Sequence, residues 1–294
     1  MNHADFLSSL DPATRARLTA RHKTRGILHL MAHGGAIALT GLGIALVVPG
    51  WWALLPVHGV LLVFLFTLEH ECTHRTPFAS DRLSDIVGTL CGLVLILPFQ
   101  WFRAFHLAHH RFTNLPGRDP ELASPKPATL GQWAWHVSGL PYWGAALALL
   151  LRLARGREEP DYLPPRARKR AAAEARWMLA VYAVLAASLL MGPVILWVWV
   201  VPVLMGQPVL RLYLLAEHGD CPQVADMFAN TRTTFTTAVV RFLAWNMPYH
   251  VEHHVYPTVP FHNLPLLHRL IRDHLQVTAD GYADFTRAYL ARRR

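Results

Sequence analysis

Residues 51–74 read WWALLPVHGVLLVFLFTLEHECTH, an apolar segment that ends in two closely spaced histidines. The apolar part, residues 51–69, is close to the ~20 residues that a helix needs to cross a bilayer core. His70 and His74 follow it and are four positions apart, so a helix presents both imidazoles on one face. Because imidazole is a common metal ligand, the stretch predicts a membrane-spanning helix that delivers metal ligands to one membrane surface.

Three more segments have the length and apolar character of spanning helices. The four predicted spans are 27–48, 51–69, 174–191 and 193–213. Pro49-Gly50 and Gly192-Pro193 are turn dipeptides that join them as two hairpins. The chain is 53% hydrophobic and only 16% charged, whereas soluble domains carry about a quarter charged residues. We therefore predict an all-α membrane protein with four transmembrane helices, in a single domain covering 1–294.

The positive charges are distributed unevenly along the chain. Of the 28 Lys and Arg residues, five precede residue 27, fourteen lie from Arg75 to Arg176, and nine lie from Arg211 onward, while the hairpin turns hold none. By the positive-inside rule, both termini and the central segment face the cytoplasm, which predicts a multi-pass protein of the inner membrane. This topology and anionic lipid account for the net charge of +9, so we predict no nucleic-acid partner.

Histidines occur in three clusters and at one further position. The clusters are HECTH at 70–74, HLAHH at 106–110 and HVEHH at 250–254. The nine candidate metal ligands are His70, His74, His106, His109, His110, His218, His250, His253 and His254. Nine imidazoles are too many for one metal ion and suit two. Structural zinc prefers four ligands, often with cysteine, whereas iron accepts nitrogen-rich shells with an open position, so we predict two non-haem irons.

A shared metal centre requires that all three clusters lie on one side of the membrane. If the apolar run 86–101 alone crossed the bilayer, the second cluster would be stranded on the opposite face. We therefore predict that 86–101 and 132–151 are interfacial helices. The segments 70–173 and 214–294 then form a cytosolic helical cap that carries the histidines and the active site.

Five polar residues near the clusters are candidates for supporting roles, and we predict no catalytic side chain apart from the metal centre. Glu71, Glu217 and Glu252 each neighbour a histidine, and hydrogen bonding to an imidazole N–H is predicted over a solvated helix charge. Asn246 precedes His250 by four residues. Its two predicted roles are to hold a metal-bound water or to cap the helix. Asp119 orients the second cluster or forms a turn.

Several other polar residues have weaker functional signals. Arg232, together with Arg103 and Arg111, is a candidate for binding a substrate headgroup or an acidic carrier protein, and solvated positive-inside charge is the alternative. His29 and His33 lie within the first predicted span. We predict polar packing or a substrate-channel role for this pair rather than a third metal site.

The three clusters also carry a family resemblance, which extends over roughly residues 30–270. HECTH resembles the first histidine box of acyl-lipid desaturases. HLAHHRFTN with the following RDPE resembles the second box, seen also in carotenoid ketolases, and HVEHHVYPTVPFHNLP resembles the third. The chain thus resembles the membrane-integral fatty acid desaturase and hydroxylase superfamily. NTRTT and WNMPYHVEHH are similar to bacterial members close to the rhizopine-catabolism oxygenases.

The resemblance implies two irons held by the nine histidines, with O2 as co-substrate. It implies desaturation or hydroxylation of an unactivated C–H in a membrane lipid or fatty acyl chain. Electrons would come from an external protein, either ferredoxin with its reductase or a cytochrome b5-type donor, since no HPGG haem-binding motif is present. One departure concerns Leu214: acyl-coenzyme A desaturases have Asn one turn before the corresponding lone histidine, and Asn246 is the candidate replacement.

Other functions stay open from the sequence. Within the oxygenases, the alternatives are a monooxygenase of a small polar, rhizopine-like metabolite and a carotenoid ketolase or hydroxylase. Outside them, the alternative is a zinc-dependent membrane hydrolase. A metal transporter is disfavoured, because transporters hold their ligands near the bilayer midplane and these clusters lie at or beyond the span ends.

Overall fold

The computed structural model describes residues 1–158 and 160–293, and its chain is mostly helical. The α-helices are α1 His3–Ser9, α2 Pro12–Thr19, α3 Arg25–Ala45, α4 Leu54–Val63, α5 Leu65–His74, α6 Asp81–Leu95, α7 Phe99–Phe112, α8 Leu130–Val137, α9 Leu140–Ala154, α10 Pro165–Ala187, α11 Val201–His218, α12 Met227–Asn230, α13 Ala238–Leu243, α14 His250–Val255, α15 Leu264–Ile271 and α16 Tyr282–Ala291. A π-helical turn, Leu196–Val200, leads into α11. Short 3₁₀ helices are Trp51–Ala53, Pro120–Ala123, Ser188–Leu190, Phe261–Asn263 and Arg272–His274. Two short strands, β1 Thr233–Thr234 and β2 Thr278–Ala279, pair in parallel.

Four helical stretches are long and apolar enough to cross a membrane, in agreement with the prediction. They are Arg25–Ala45, Trp51–His74, Pro165–Leu190 and Leu196–His218. Much of their surface is left for lipid, because only 11% of the most apolar window of the first stretch and 17% of that of the third are buried within the protein. The predicted all-α membrane fold is confirmed.

The ends of three spans differ from the prediction. The second continues to His74 and the fourth to His218, and the third begins at Pro165 rather than at 174. Hydropathy marks only the apolar part of a helix, whereas the backbone stays helical wherever its polar side chains find partners. His70 and His218 therefore lie on the last turns of spanning helices, not in the loops after them.

The two remaining apolar runs form sharply bent helix pairs. α6 and α7 meet at 101°, and α8 and α9 meet at 58°. The first bend contains Pro98, and the second bend precedes Pro141, which lies in the first turn of α9 and supplies no backbone N–H. Length and composition alone would allow up to six spans if each bent pair were counted as one. Their interfacial placement stays a prediction.

A carboxylate on α10 binds the N-terminus of α7, the helix that carries the second histidine cluster. Glu174 of α10 accepts hydrogen bonds from the backbone N–H groups of Phe99 and Gln100, at 3.2 and 2.8 Å. These N–H groups open α7 and have no partner within the helix. A carboxylate at a helix N-terminus also interacts favourably with the helix dipole. Glu174 thereby fixes where α7 starts relative to the third span.

Helices α4 and α11 approach each other through glycine. A Cβ atom on Gly206 would lie 2.3 Å from the carbonyl oxygen of Gly59, and one on Gly59 would lie 2.1 Å from the carbonyl oxygen of Pro202. Real Cβ atoms do not come this close to backbone oxygen, so only glycine permits the contact. Small residues at such crossings are typical of helix packing in membranes.

Replacing Gly206 by alanine is therefore expected to destabilise the fold by about 1–3 kcal/mol, the usual cost of overpacking. Gly34→Ala is the matched control, because no atom lies within 4 Å of a Cβ at that helical position. Thermal unfolding of both variants in detergent micelles measures the difference. Equal melting temperatures for Gly206→Ala and the parent would contradict the close-packing argument.

Candidate metal centre

The histidines named from the sequence converge in space, although four separate helices supply them. α5 provides His70 and His74, α7 provides three rings, α11 provides one and α14 provides three. A first group has ligand atoms that all lie within 4.8 Å of one another; it comprises His70, His74, His106, His110 and His253. A second group, whose ligand atoms also lie within 4.8 Å of one another, comprises His109, His218 and His254.

His250 connects to the second group. Its Nε2 lies 3.1 Å from Nε2 of His218 and 3.2 Å from Nε2 of His254. The two groups touch where the rings of His110 and His254 stack, with centroids 4.1 Å apart. All nine rings therefore form one continuous imidazole cluster, the nine-histidine cluster, with two adjacent sets of converging nitrogens.

The hydrogen-bond partners of two rings show that the converging atoms are lone pairs. His109 donates through Nδ1–H to Asp119 at 2.9 Å, and His218 donates through Nδ1–H to the carbonyl of Asn230 at 3.3 Å. In neutral imidazole, donation at Nδ1 leaves Nε2 as an acceptor. The two Nε2 atoms nevertheless face each other at 3.2 Å, with no hydrogen to place between them.

A cation bound between the facing nitrogens would account for that arrangement. Two nitrogen ligands ~2.1 Å from one metal ion and about 90° apart at it would lie about 3.0 Å from each other. The Nε2 pairs of His74–His106 and His110–His253 are separated by 2.9 and 3.1 Å. These separations fit nitrogen atoms that share metal ions.

Further ring nitrogens in the cluster are buried without a partner. Among the described residues, neither nitrogen of His70 has a hydrogen bond, nor does Nδ1 of His110 or His253. Buried polar atoms in proteins are normally hydrogen bonded, so such orphans require an explanation. The potential ligand atoms of the cluster are all imidazole nitrogens, which suit a transition-metal ion of intermediate softness.

Burial favours the neutral state, which metal binding requires, at two rings of the third cluster. The pKa of His253 lies well below its usual value because the ring is buried and is close to His70 and His110. The pKa of His254 is lowered in the same way, by burial and by the neighbouring His110 and His250. Neutral rings offer their lone pairs at physiological pH.

Asp119 lies where the sequence predicted that it would orient the second cluster. Its carboxylate is buried, and its oxygens accept from His109 Nδ1, from the backbone N–H of Asn114 at 2.7 Å and from that of Glu121 at 2.9 Å. Orienting a ring and forming the turn that follows α7 are therefore one role. The second-cluster ring of His109 is fixed by a segment that lies ten residues further along the chain.

Glu71 and Glu252 take different partners from those predicted. Glu71 accepts from the backbone N–H of Phe261 at 2.6 Å and from the hydroxyl of Thr76 at 2.7 Å. Glu252 contacts Nδ1 of His268 and the hydroxyl of Thr233, each at 2.5 Å. Neither carboxylate is hydrogen bonded to a cluster histidine. Both instead attach the helices of the cluster to the segments that surround it.

Glu217 lies near a cluster histidine, whereas Asn246 is hydrogen bonded to a backbone carbonyl. Oε1 of Glu217 is 3.5 Å from Nδ1 of His250, a distance that allows an electrostatic contact but only a weak hydrogen bond. Asn246 is not part of α14; its Nδ2 donates to the carbonyl of Phe261 at 3.0 Å. Leu214 packs against the hydrophobic core. The Nδ2 of Asn246 is thus engaged by the segment that follows the third cluster, and the Leu214 side chain offers no polar atom at its position.

Several supporting residues were missed by the sequence analysis. The main-chain carbonyl of Asn230 accepts from the Asn114 side-chain amide at 2.7 Å, and the Asn230 side-chain amide donates to the main-chain carbonyl of Thr113 at 3.0 Å. The Thr113 hydroxyl lies 3.1 Å from Nδ1 of His254. The only signal was the position of Thr113 and Asn114 directly after the second cluster.

The weaker candidates have ordinary structural contacts. Nε2 of His29 donates a hydrogen bond to the carbonyl of Phe242 at 2.8 Å, and Nε2 of His33 donates one to the carbonyl of Leu61 at 2.9 Å. These contacts agree with polar packing. Arg232 is buried, and its guanidinium donates to the carbonyl of Ala216 at 2.6 Å. It is therefore not available as an exposed binding residue.

Comparison with known proteins gives one family. The family model for fatty acid desaturase matches residues 49–286. An sn-1 oleoyl-lipid 12-desaturase from Picosynechococcus sp. is 32% identical over 126 residues, covering 40% of this chain and 36% of the relative. One from Anabaena variabilis is 24% identical over 273 residues, covering 81% and 74%. A chloroplastic omega-6 fatty acid desaturase from Glycine max is 31% identical over 106 residues, covering 35% and 21%.

Proposed function

This chain belongs to the fatty acid desaturase family of oxidoreductases, and on that premise we propose that it inserts a double bond into an acyl chain of a membrane lipid, using O2. The observation that carries the proposal is the nine-histidine cluster, in which buried imidazoles converge in two groups at the ends of spanning helices. The matched relatives are named as oleoyl-lipid and omega-6 fatty acid desaturases, which favours an acyl-lipid substrate.

The alternatives from the sequence receive less support. None of the three relatives described above is named for a carotenoid or for a small polar metabolite. A zinc hydrolase typically holds one ion with three protein ligands, whereas this cluster has two groups of converging histidines. Hydroxylation uses the same kind of centre and is kept as the second candidate outcome.

We propose that all nine histidines hold two non-haem irons. Bound ferrous irons would supply the reduction of O2 and the removal of hydrogen from an unactivated C–H bond. In the overall reaction, O2 takes two hydrogens from the substrate, together with two electrons and two protons from outside, and yields two waters.

The side chains around the cluster position and enclose it. Asp119 holds the Nδ1–H of His109, and the Asn230 carbonyl holds that of His218, so each ring keeps its Nε2 lone pair directed inward. Trp245 and Val251, both fully buried, belong to the apolar core around α14. This packing would limit access of water to the proposed centre.

We propose that the cluster faces the cytoplasm of a bacterial inner membrane and that the cap comprises 70–173 and 214–294. The support is the distribution of Lys and Arg, which are absent from the two predicted hairpin turns. An electron-carrier protein such as ferredoxin or a cytochrome b5-type donor would approach from that side. The partners are thus a membrane lipid and a soluble reductant.

Expression in a bacterial host that lacks polyunsaturated lipids tests the proposed reaction. With oleoyl lipids, 18O2 and a reducing system, we expect acyl chains that have lost two hydrogens and contain no 18O, as measured by mass spectrometry. Retained 18O in a hydroxylated chain would favour hydroxylation. No new acyl product from an iron-loaded protein would exclude the acyl-lipid substrate.

A further inference from the structure

A basic groove runs along the outer face of α7. Its volume is about 1430 Å³, and its walls come from α7, the segment 117–123 and residues 160–170. The arginines that line this groove are Arg75, Arg103, Arg111, Arg118, Arg166 and Arg170. Among the described residues that line it, the carboxylates are Asp119 and Asp161. The groove therefore has a strong excess of positive charge.

Most of this charge has no counterion within the described part of the chain. Arg75 and Arg103 both pair with Asp85, at 2.8 and 3.2 Å. The other four groove arginines are exposed and form no ion pair with any described residue; they are Arg111, Arg118, Arg166 and Arg170. Their positive potential is left to attract an anionic partner.

The floor of the groove is apolar. Ala104, Leu107 and Ala108 line it, and Leu107 is 44% exposed. An apolar centre surrounded by charged side chains is the usual anatomy of a protein–protein contact. A lipid phosphate would use the arginines but would gain nothing from the exposed leucine. The combination favours a protein partner over a lipid headgroup.

The groove lies directly behind the nine-histidine cluster. His106, His109 and His110 are buried on one face of α7, while Leu107 and Arg111 are exposed on the other. The two faces are separated by one helix, about 10 Å in diameter. Asp119 lines the groove and is also bonded to Nδ1 of His109. A redox protein bound here would have a short path to the cluster.

We propose that this basic groove is the docking surface for an acidic electron-carrier protein. The inference rests on the proposed function, because O2-dependent desaturation consumes two electrons that the lipid does not supply. Charge attraction would guide the carrier to the groove, and the apolar floor would seat it above α7. Contacts of this kind mainly set the association rate and its dependence on salt.

The test uses the full-length protein in lipid nanodiscs and an acidic plant-type [2Fe–2S] ferredoxin as the probe. Arg111 and Arg118 are reversed together in the Arg111→Glu/Arg118→Glu variant, because both guanidinium groups lie near the Phe112 ring. We expect a Kd for ferredoxin at least tenfold higher than that of the parent. We also expect a much weaker dependence of Kd on ionic strength.

The control is Arg269→Glu, which changes an exposed arginine on α15 outside the groove and is expected to change the Kd less than twofold. A single turnover after chemical reduction with dithionite bypasses docking and should be unchanged in the double variant. An unchanged Kd, or a parent protein that does not bind ferredoxin, would overturn the proposal. Loss of the dithionite-driven turnover in the double variant would also overturn the proposal, because the arginines would then serve folding or substrate binding.

A vesicle-binding assay distinguishes a lipid headgroup site from a docking surface for a protein. If the double variant loses binding to phosphatidylglycerol vesicles but keeps its ferredoxin affinity, the groove is a headgroup site and the docking proposal is wrong. Binding is measured without turnover, so its outcome is separate from the proposed function. Failure of the parent to form a desaturated lipid under dithionite reduction would count against the proposed reaction alone.

Discussion

His218→Ala is expected to lower the iron content from two ions per chain to about one. His109, His218 and His254 lie within mutual reach in the second group, and His250 joins them through contacts with His218 and His254. His218 is close to both His109 and His250, at 3.2 and 3.1 Å between Nε2 atoms, so its loss removes the ligand that connects these two rings. Turnover should fall by more than the ~100-fold that marks the upper range for losing a ligand's hydrogen-bond partner, because a direct ligand is lost. Elemental analysis and lipid product assays on the iron-reconstituted protein give both quantities.

His262→Ala is the matched control for this loss. It makes the same imidazole-to-methyl change eight residues after the third cluster, at a ring that packs edge-on against Phe261 and His22. This control should keep both irons and most of the activity. Melting temperatures of the two variants reveal any general unfolding. Two irons and full activity in His218→Ala would remove His218 from the proposed ligand set.

Asp119→Asn is expected to reduce iron affinity or turnover by about 10–100-fold. The aspartate oxygens accept from His109 and from two backbone N–H groups. Asparagine has a single acceptor oxygen, so at least one buried donor would face an NH₂ group. His109 would then lose its fixed tautomer, or the turn that holds it would open. Either result disturbs the Nε2 atom that faces His218.

Chelator competition measures the iron affinity of Asp119→Asn, and steady-state kinetics separates kcat from KM for the lipid. Because Asp119 acts through His109, kcat and iron affinity should fall while KM for the lipid stays nearly constant. Asp273→Asn makes the same chemical change at a side chain that is 86% exposed, and it should behave like the parent. A normal iron affinity in Asp119→Asn would mean that Asp119 supports only the turn.

Much of the architecture was predictable because it depends on local properties of the chain. Hydropathy located four spanning helices, and the apolar segment before His70 identified one of the two that carry cluster histidines. Helical spacing indicated that His250, His253 and His254 share one face of a helix. The position of Asp119 shortly after the second cluster was enough to assign it an orienting role, since the turn that returns it to His109 is short.

Tertiary packing alone decided how the rings are divided. The second cluster sends His106 and His110 to the first group and His109 to the other. The third sends His253 to the first group and His254 to the second. The spacing within a cluster does not show which ring joins which group. Helical periodicity tells which residues share a face of a helix, but it does not tell how that face is rotated relative to a neighbouring helix.

The sequence by itself therefore determined the membrane-spanning helices and the histidine clusters that their ends and neighbouring helices carry. The structure decided which histidines meet, and it gave Glu71 and Glu252 partners in other segments. Hydropathy and periodicity are properties of neighbouring residues, whereas each of these contacts joins helices or loops that are far apart in the chain. Their geometry is set by how α5, α7, α11 and α14 pack together, which no single segment encodes.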